Sequence, residues 1–104
     1  MTQTAKLSAG RSNYLGLSVF TNGEMALVGA ADTTGVGSAY VYIQPRSGWK
    51  STSKFNQKLL ARDKAAHYFG QSLFLSGETA VIGAPGTSLG KNTSQGAAYV
   101  FGQQ

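Results

Sequence analysis

Apolar residues fall in short runs along the whole chain, separated by turns that carry glycine. Leu17-Ser18-Val19-Phe20 and Ala26-Leu27-Val28 flank Asn22-Gly23, and Leu73-Phe74-Leu75 and Ala80-Val81-Ile82 flank Ser76-Gly77. An X-Gly pair between two such runs predicts a β-hairpin. Apolar side chains occupy both alternating faces of these strands, so each predicted sheet is covered on both sides. Ala39 to Ile43 predicts a third strand, with Ala98 to Phe101 as its twin. A fourth is expected within Trp49 to Leu60, and its counterpart within Gln3 to Leu7. Gly29-Ala30 and Gly83-Ala84 mark places where backbones approach closely. No stretch has a helical period.

The pattern repeats. Tyr14 to Ala31 aligns without gaps on Tyr68 to Pro85, with nine of eighteen positions identical and most others exchanging one apolar residue for another. Gly37 to Tyr42 then matches Gly96 to Phe101, after a loop five residues longer in the second copy, and Lys6-Leu7 matches Lys58-Leu59. The expected organisation is one two-blade unit over 1–104, with repeat 1 at about 8–60 and repeat 2 at about 61–104. Four-stranded sheets that are apolar on both faces and recur along a chain stack radially as propeller blades. The fold class is therefore all-β, two four-stranded antiparallel blades.

Composition narrows the picture. A chain of 104 residues, 41% hydrophobic and 12% charged, holds one core-bearing unit. It has no cysteine for disulfides, and one histidine with four acids is too little for a zinc cage. MTQTAKLSAG lacks the apolar run of a signal peptide, and the sequence leaves the compartment open. The net charge is +5. Arg46, Lys50, Lys54, Lys58, Arg62 and Lys64 stand close together with only Asp63 opposing them. Such a segment is either a solvated edge, where lysine discourages stray pairing, or an attractor of anionic partners.

Tyr68-Phe69-Gly70, Leu75-Ser76-Gly77-Glu78, Val81-Ile82-Gly83-Ala84-Pro85 and Gly96-Ala97-Ala98-Tyr99-Val100-Phe101 together resemble the FG-GAP repeat, the blade unit of integrin-alpha-type propellers and of bacterial relatives. In the first copy Leu15-Gly16 replaces Phe-Gly, and Gly29-Ala30-Ala31 replaces Gly-Ala-Pro. The resemblance implies a propeller of several blades used for adhesion or ligand binding, usually outside the cell. Some members carry an Asp-x-Asp-x-Asp-Gly calcium loop. Here the corresponding loops, from Asp32 and from Gly86, hold one carboxylate between them, whereas calcium wants several among its six to eight oxygens. No metal and no cofactor are expected.

Catalytic constellations fail the repeat test. Glu24 and Glu78 are one position in two copies, each after a turn glycine, and so stand a blade apart. Ser18 and Ser72 are likewise equivalent, lie inside strands and have no Asp-His pair at hand. His67 is the sole histidine, in the loop before Tyr68, and Gly83-Ala84-Pro85-Gly86 lacks the Lys-Ser/Thr of a phosphate loop. The chain is expected not to be an enzyme. The recurring tyrosines and phenylalanines read as packing between blades. Trp49 occurs once, and packing and ligand stacking are both open to it.

The expected function is a binding module that presents loop sites to a glycan or protein ligand. Asp32, Thr33, Thr34, Thr87, Ser88, Lys91 and Asn92 are the first candidate residues, and Arg46 and Trp49 the second. Hydroxyl and amide groups suit sugar hydroxyls. A purely structural assembly unit, a fragment of a longer propeller, and polyanion binding through 46–64 remain as alternatives, nucleic acid being the weaker anion. Two blades leave large apolar faces open, so self-association is expected: three copies for six blades, or four for eight. Residues 1–7 would complete a neighbouring subunit's last blade.

Overall fold

A computed structural model of the chain describes residues 2–9, 15–30, 37–60, 69–85 and 96–102. Seven strands run in order: β1 (Ser18–Thr21), β2 (Met25–Ala30), β3 (Ser38–Ile43), β4 (Gln57–Leu59), β5 (Ser72–Ser76), β6 (Thr79–Ala84) and β7 (Ala97–Phe101). They form a four-stranded sheet β1-β2-β3-β4 and a three-stranded sheet β5-β6-β7, each a meander of antiparallel neighbours. We call them blade one and blade two. No helix among the described residues is long and apolar enough to cross a membrane.

The internal repeat is reproduced in the pairing register. Ser18 opposes Gly29 as Ser72 opposes Gly83, Phe20 opposes Leu27 as Phe74 opposes Val81, and Val28 opposes Tyr40 as Ile82 opposes Tyr99. Both first hairpins turn on a glycine with positive φ, 97° at Gly23 and 57° at Gly77, which the tight hairpin turns require. In blade one, Asn22 adds what Ser76 lacks the reach to do. Its Oδ1 accepts from the backbone N–H of Glu24 and Met25, at 3.1 and 2.9 Å, and its Nδ2 donates to the Gly77 carbonyl at 3.1 Å.

Because strand side chains alternate, each blade has two faces. Blade one's front face carries Phe20, Leu27, Val41, Ala39 and Leu59, and it packs on the back face of blade two, Leu73, Leu75, Ala80, Ile82, Tyr99 and Phe101. Leu27, Ala39, Phe69, Ile82 and Ala84 are fully buried or nearly so in this joint. Phe69 seals it, edge-on to Tyr99 and Phe101 at 5.6 and 5.8 Å between ring centres. At the inner edge β5 lies beside β1, where Ser18 Oγ donates to the Gly70 carbonyl at 2.5 Å and the Phe20 and Phe74 rings meet at 4.7 Å. A Cβ on Gly29 would run into that same Gly70 carbonyl. The absence of a side chain at Gly29 is what lets the two blades close.

Blade one's back face carries Val28, Ala30, Tyr40 and Tyr42, and its cover comes from Leu7, Ala9, Leu15 and Trp49. Lys6 to Ala9 therefore lie back against their own chain. Ser8 N–H donates to the Thr52 carbonyl and Thr52 N–H to the Lys6 carbonyl, both at 2.9 Å, around a single parallel bridge between Leu7 and Thr52. Gln3 to Leu7 is thus no strand of a sheet within the single chain. Among the described residues its strand-like pairing is the single bridge at Leu7, because Thr52 lies in an irregular connection rather than in a ladder.

Candidate functional site

Besides the cleft of about 460 Å3 that the blade joint itself leaves beside Leu27, Leu59, Leu75, Ala80 and Phe101, two regions of the described surface have the makings of a site: the connection from Gln44 to Asn56, and the faces that the blade joint leaves open. The connection leaves β3 at Ile43 and is pinned at both ends. Gln44 N–H donates to the Glu24 carbonyl at 2.8 Å, and the Ile43 N–H donates to Asn56 Oδ1 at 2.7 Å. Gly48 turns the chain with φ of 98°, and this delivers Trp49 against the back face of blade one. Trp49 is half-buried there. One flank packs on the Tyr40–Tyr42 cluster, and the residue also walls a cavity of about 350 Å3 shared with Tyr42, Lys50, Thr52, Lys54 and Asn56.

Beside this cavity runs an aromatic and cationic stack. Phe55 lies against Tyr40 with ring centres 4.8 Å apart, and Lys58 Nζ sits 5.6 Å from the Tyr40 centroid, within reach of a cation–π attraction. Arg46, Lys50 and Lys54 are exposed along the same connection. Tyr42 is the buried anchor beneath them, 1% exposed, with its hydroxyl donating to the Ser8 carbonyl at 2.6 Å. Burial, and next to it the neighbouring Tyr40, pushes the Tyr42 phenol above the usual tyrosine range. That phenol stays neutral and keeps its proton for Ser8.

Of the expected site residues, Arg46 and Trp49 fall in this region. Asp32, Thr33, Thr34, Thr87, Ser88, Lys91 and Asn92 lie outside the described residues, as do Arg62, Asp63, Lys64 and His67. Glu24 and Glu78 are exposed, each on the turn of its own blade's first hairpin. Among the described residues no group of three or more His, Cys, Asp or Glu is placed to hold a metal ion. Phe55 and Asn56 were not anticipated. They have no counterpart in the second copy, so a reading built on the repeat has no handle on them.

The second region is the front face of blade two. Phe74, Val81 and Val100 stand where Phe20, Leu27 and Val41 stand in blade one, and Phe74 is 54% and Val100 69% exposed. Correspondingly, the inner end of blade one's back face shows Val19 at 66% and Leu17 at 54%. The equivalent of Val19, Leu73, is packed into the joint.

Residues 54–101 match the family model described as the FG-GAP repeat. This segment is an FG-GAP repeat. No curated protein matches the chain. The FG-GAP match begins before β4 and ends with β7, so it joins the outermost strand of one blade to the three strands of the next. The sequence unit and the structural blade are out of phase by one strand. Two packed antiparallel sheets and the FG-GAP match over 54–101 are consistent with β-propeller blades.

Proposed function

We propose that the chain is a non-enzymatic binding module, a propeller-type unit that joins further blades and presents its loop sites to a glycan. The observation that carries this reading is the Trp49 cavity. The half-buried indole forms an apolar wall, and Thr52, Asn56, Lys50 and Lys54 line the same space. An apolar plane beside hydroxyl, amide and ammonium groups is the chemistry that holds a sugar ring, with the apolar C–H face on the aromatic and the hydroxyls on the polar rim. The open front face of blade two supports the blade-joining half of the reading. Joined copies repeat the site, so weak single sites gain avidity.

A glycan array probed with the fluorescently tagged chain tests this. Binding to a defined sugar class, lost on Trp49→Ala while the sheet circular dichroism stays, is the expected result. No signal across neutral and acidic glycans overturns it.

The Lys58–Tyr40–Phe55 stack, continued by Lys54 and Lys50, favours a second reading in which any polyanion is taken through charge. Affinity for heparin would then fall steeply as salt rises. Salt-independent binding rules that reading out.

A further inference from the structure

We propose that the open edge and front face of blade two receive a second copy of this chain, whose residues 5–7 add as a fourth strand beside β7, with Leu7 opposite Ala98, Lys6 opposite Tyr99 and Ala5 opposite Val100. The inference rests on the reading that blades join, and names the partner and the register.

The chain itself displays what covers a front face. Blade one's front face is closed by a back face, that of blade two. The equivalent front face of blade two, with Phe74, Val81 and Val100, therefore fits a back face of the same kind, and the other one that the chain possesses is on blade one. There Leu17 and Val19 stay exposed at the inner end, where an incoming sheet would lie.

The outer end of that back face already holds its part of the partner. Leu59 of β4 sits in the existing joint, opposite Ala39 and against blade two's back face. Leu7 aligns with Leu59 in the repeat, and it packs on blade one's back face in the corresponding way. The segment around Leu7 occupies the place that a fourth strand takes against a back face. Among the described residues blade two has three strands, and β7 has β6 on one side and no strand on the other.

The backbone is turned the right way. The Lys6 carbonyl and Ser8 N–H are engaged by Thr52, so by strand alternation the Leu7 N–H and carbonyl point to the opposite side. Transferring the β3–β4 register, Ala39 to Leu59, Tyr40 to Lys58 and Val41 to Gln57, gives the three pairs named above. The same transfer sets the Gly16 carbonyl of the incoming copy over Gly83, to accept from Ser72 Oγ as the Gly70 carbonyl accepts from Ser18 Oγ. Gly83 leaves room for it, since a Cβ there meets only Ser72.

Cysteine cross-linking reads the register, because the chain has no cysteine of its own. Opposed residues of antiparallel strands fall within disulfide reach, whereas adjacent residues point to opposite faces. Oxidised with glutathione disulfide, an A5C/V100C chain is expected to run as multiples of 10.9 kDa on a non-reducing gel and to return to one band under reductant. An A5C/Y99C chain stays single. A measurement that needs no substitution is amide exchange: Leu7 N–H is expected to be protected at high concentration and to lose that protection on dilution. Assembly in sedimentation without the A5C/V100C link, or without protection of Leu7, overturns the strand pairing. A single 10.9 kDa species at every concentration overturns the blade-joining reading as well.

Discussion

Blade one and blade two share one register and differ in what touches their faces. Blade one is packed on its front by blade two and over the outer part of its back by Leu7, Ala9, Leu15 and Trp49, with Leu17 and Val19 left exposed at the inner end. Blade two is packed on its back and open on its front, although Phe74, Val81 and Val100 are as apolar as their counterparts. The hydrophobic pattern of a strand therefore specifies a face to be covered, and the neighbouring element decides whether it is. Equivalent substitutions in the two blades separate these contributions.

The largest contrast is expected between Leu27 and Val81, which occupy the same position. Leu27→Ala empties the middle of the joint and is expected to cost about 3 kcal/mol of unfolding free energy, while Val81→Ala costs about 1 kcal/mol or less in the single chain. Urea titrations of both variants check this at low concentration. Equal losses would mean that the two front faces are covered alike.

Gly29 and Gly83 give the next contrast. An alanine at either position meets a serine hydroxyl of its own blade, Ser18 or Ser72, but at Gly29 it also meets the Gly70 carbonyl of the facing blade. Gly29→Ala is expected to destabilise by about 2 kcal/mol and Gly83→Ala by under about 1 kcal/mol in the dilute chain. At concentrations where copies join, Gly83→Ala is expected to weaken the assembly.

The smallest contrast is Tyr42 against Phe101. Tyr42→Phe makes blade one resemble blade two, leaves the Ser8 carbonyl without its donor, and is expected to cost about 1 kcal/mol. The pH dependence carries the sign. The phenol is held above its ordinary value of 10.0 in the fold, so the folded chain binds its proton more tightly than the unfolded chain does. Its contribution is complete below pH 10 and is lost as pH rises from there through the folded value. Tyr42→Phe removes that part of the alkaline decline, which a pair of melting series across the range detects.

Much of the architecture was legible because the repeat fixes it. Nine identities between Tyr14 to Ala31 and Tyr68 to Pro85 force the same hairpin register in both copies, and the structure has it. The fourth strand was legible only as lying within Trp49 to Leu60, since Lys58-Leu59 has no more than a short match at Lys6-Leu7; it is Gln57–Leu59. The return of Lys6 to Ala9 onto Thr52 was not legible. It involves Tyr42 of β3 reaching the Ser8 carbonyl 34 residues earlier in the chain, and a single bridge to an irregular connection leaves no periodic trace. The Trp49 wall was half legible: one unmatched tryptophan beside cations signals a special position, but the Phe55 and Asn56 contacts that build its surroundings have no second copy to reveal them.

Sedimentation velocity of the chain from low to high micromolar concentration tests the central claim most directly. The account predicts that mass rises with concentration towards a closed multiple, three chains of 10.9 kDa being about 33 kDa, and that Val100→Asp, on the open face, holds the chain at its single mass with its sheet signal intact. A wild-type chain that stays at 10.9 kDa throughout, folded and soluble, would contradict it.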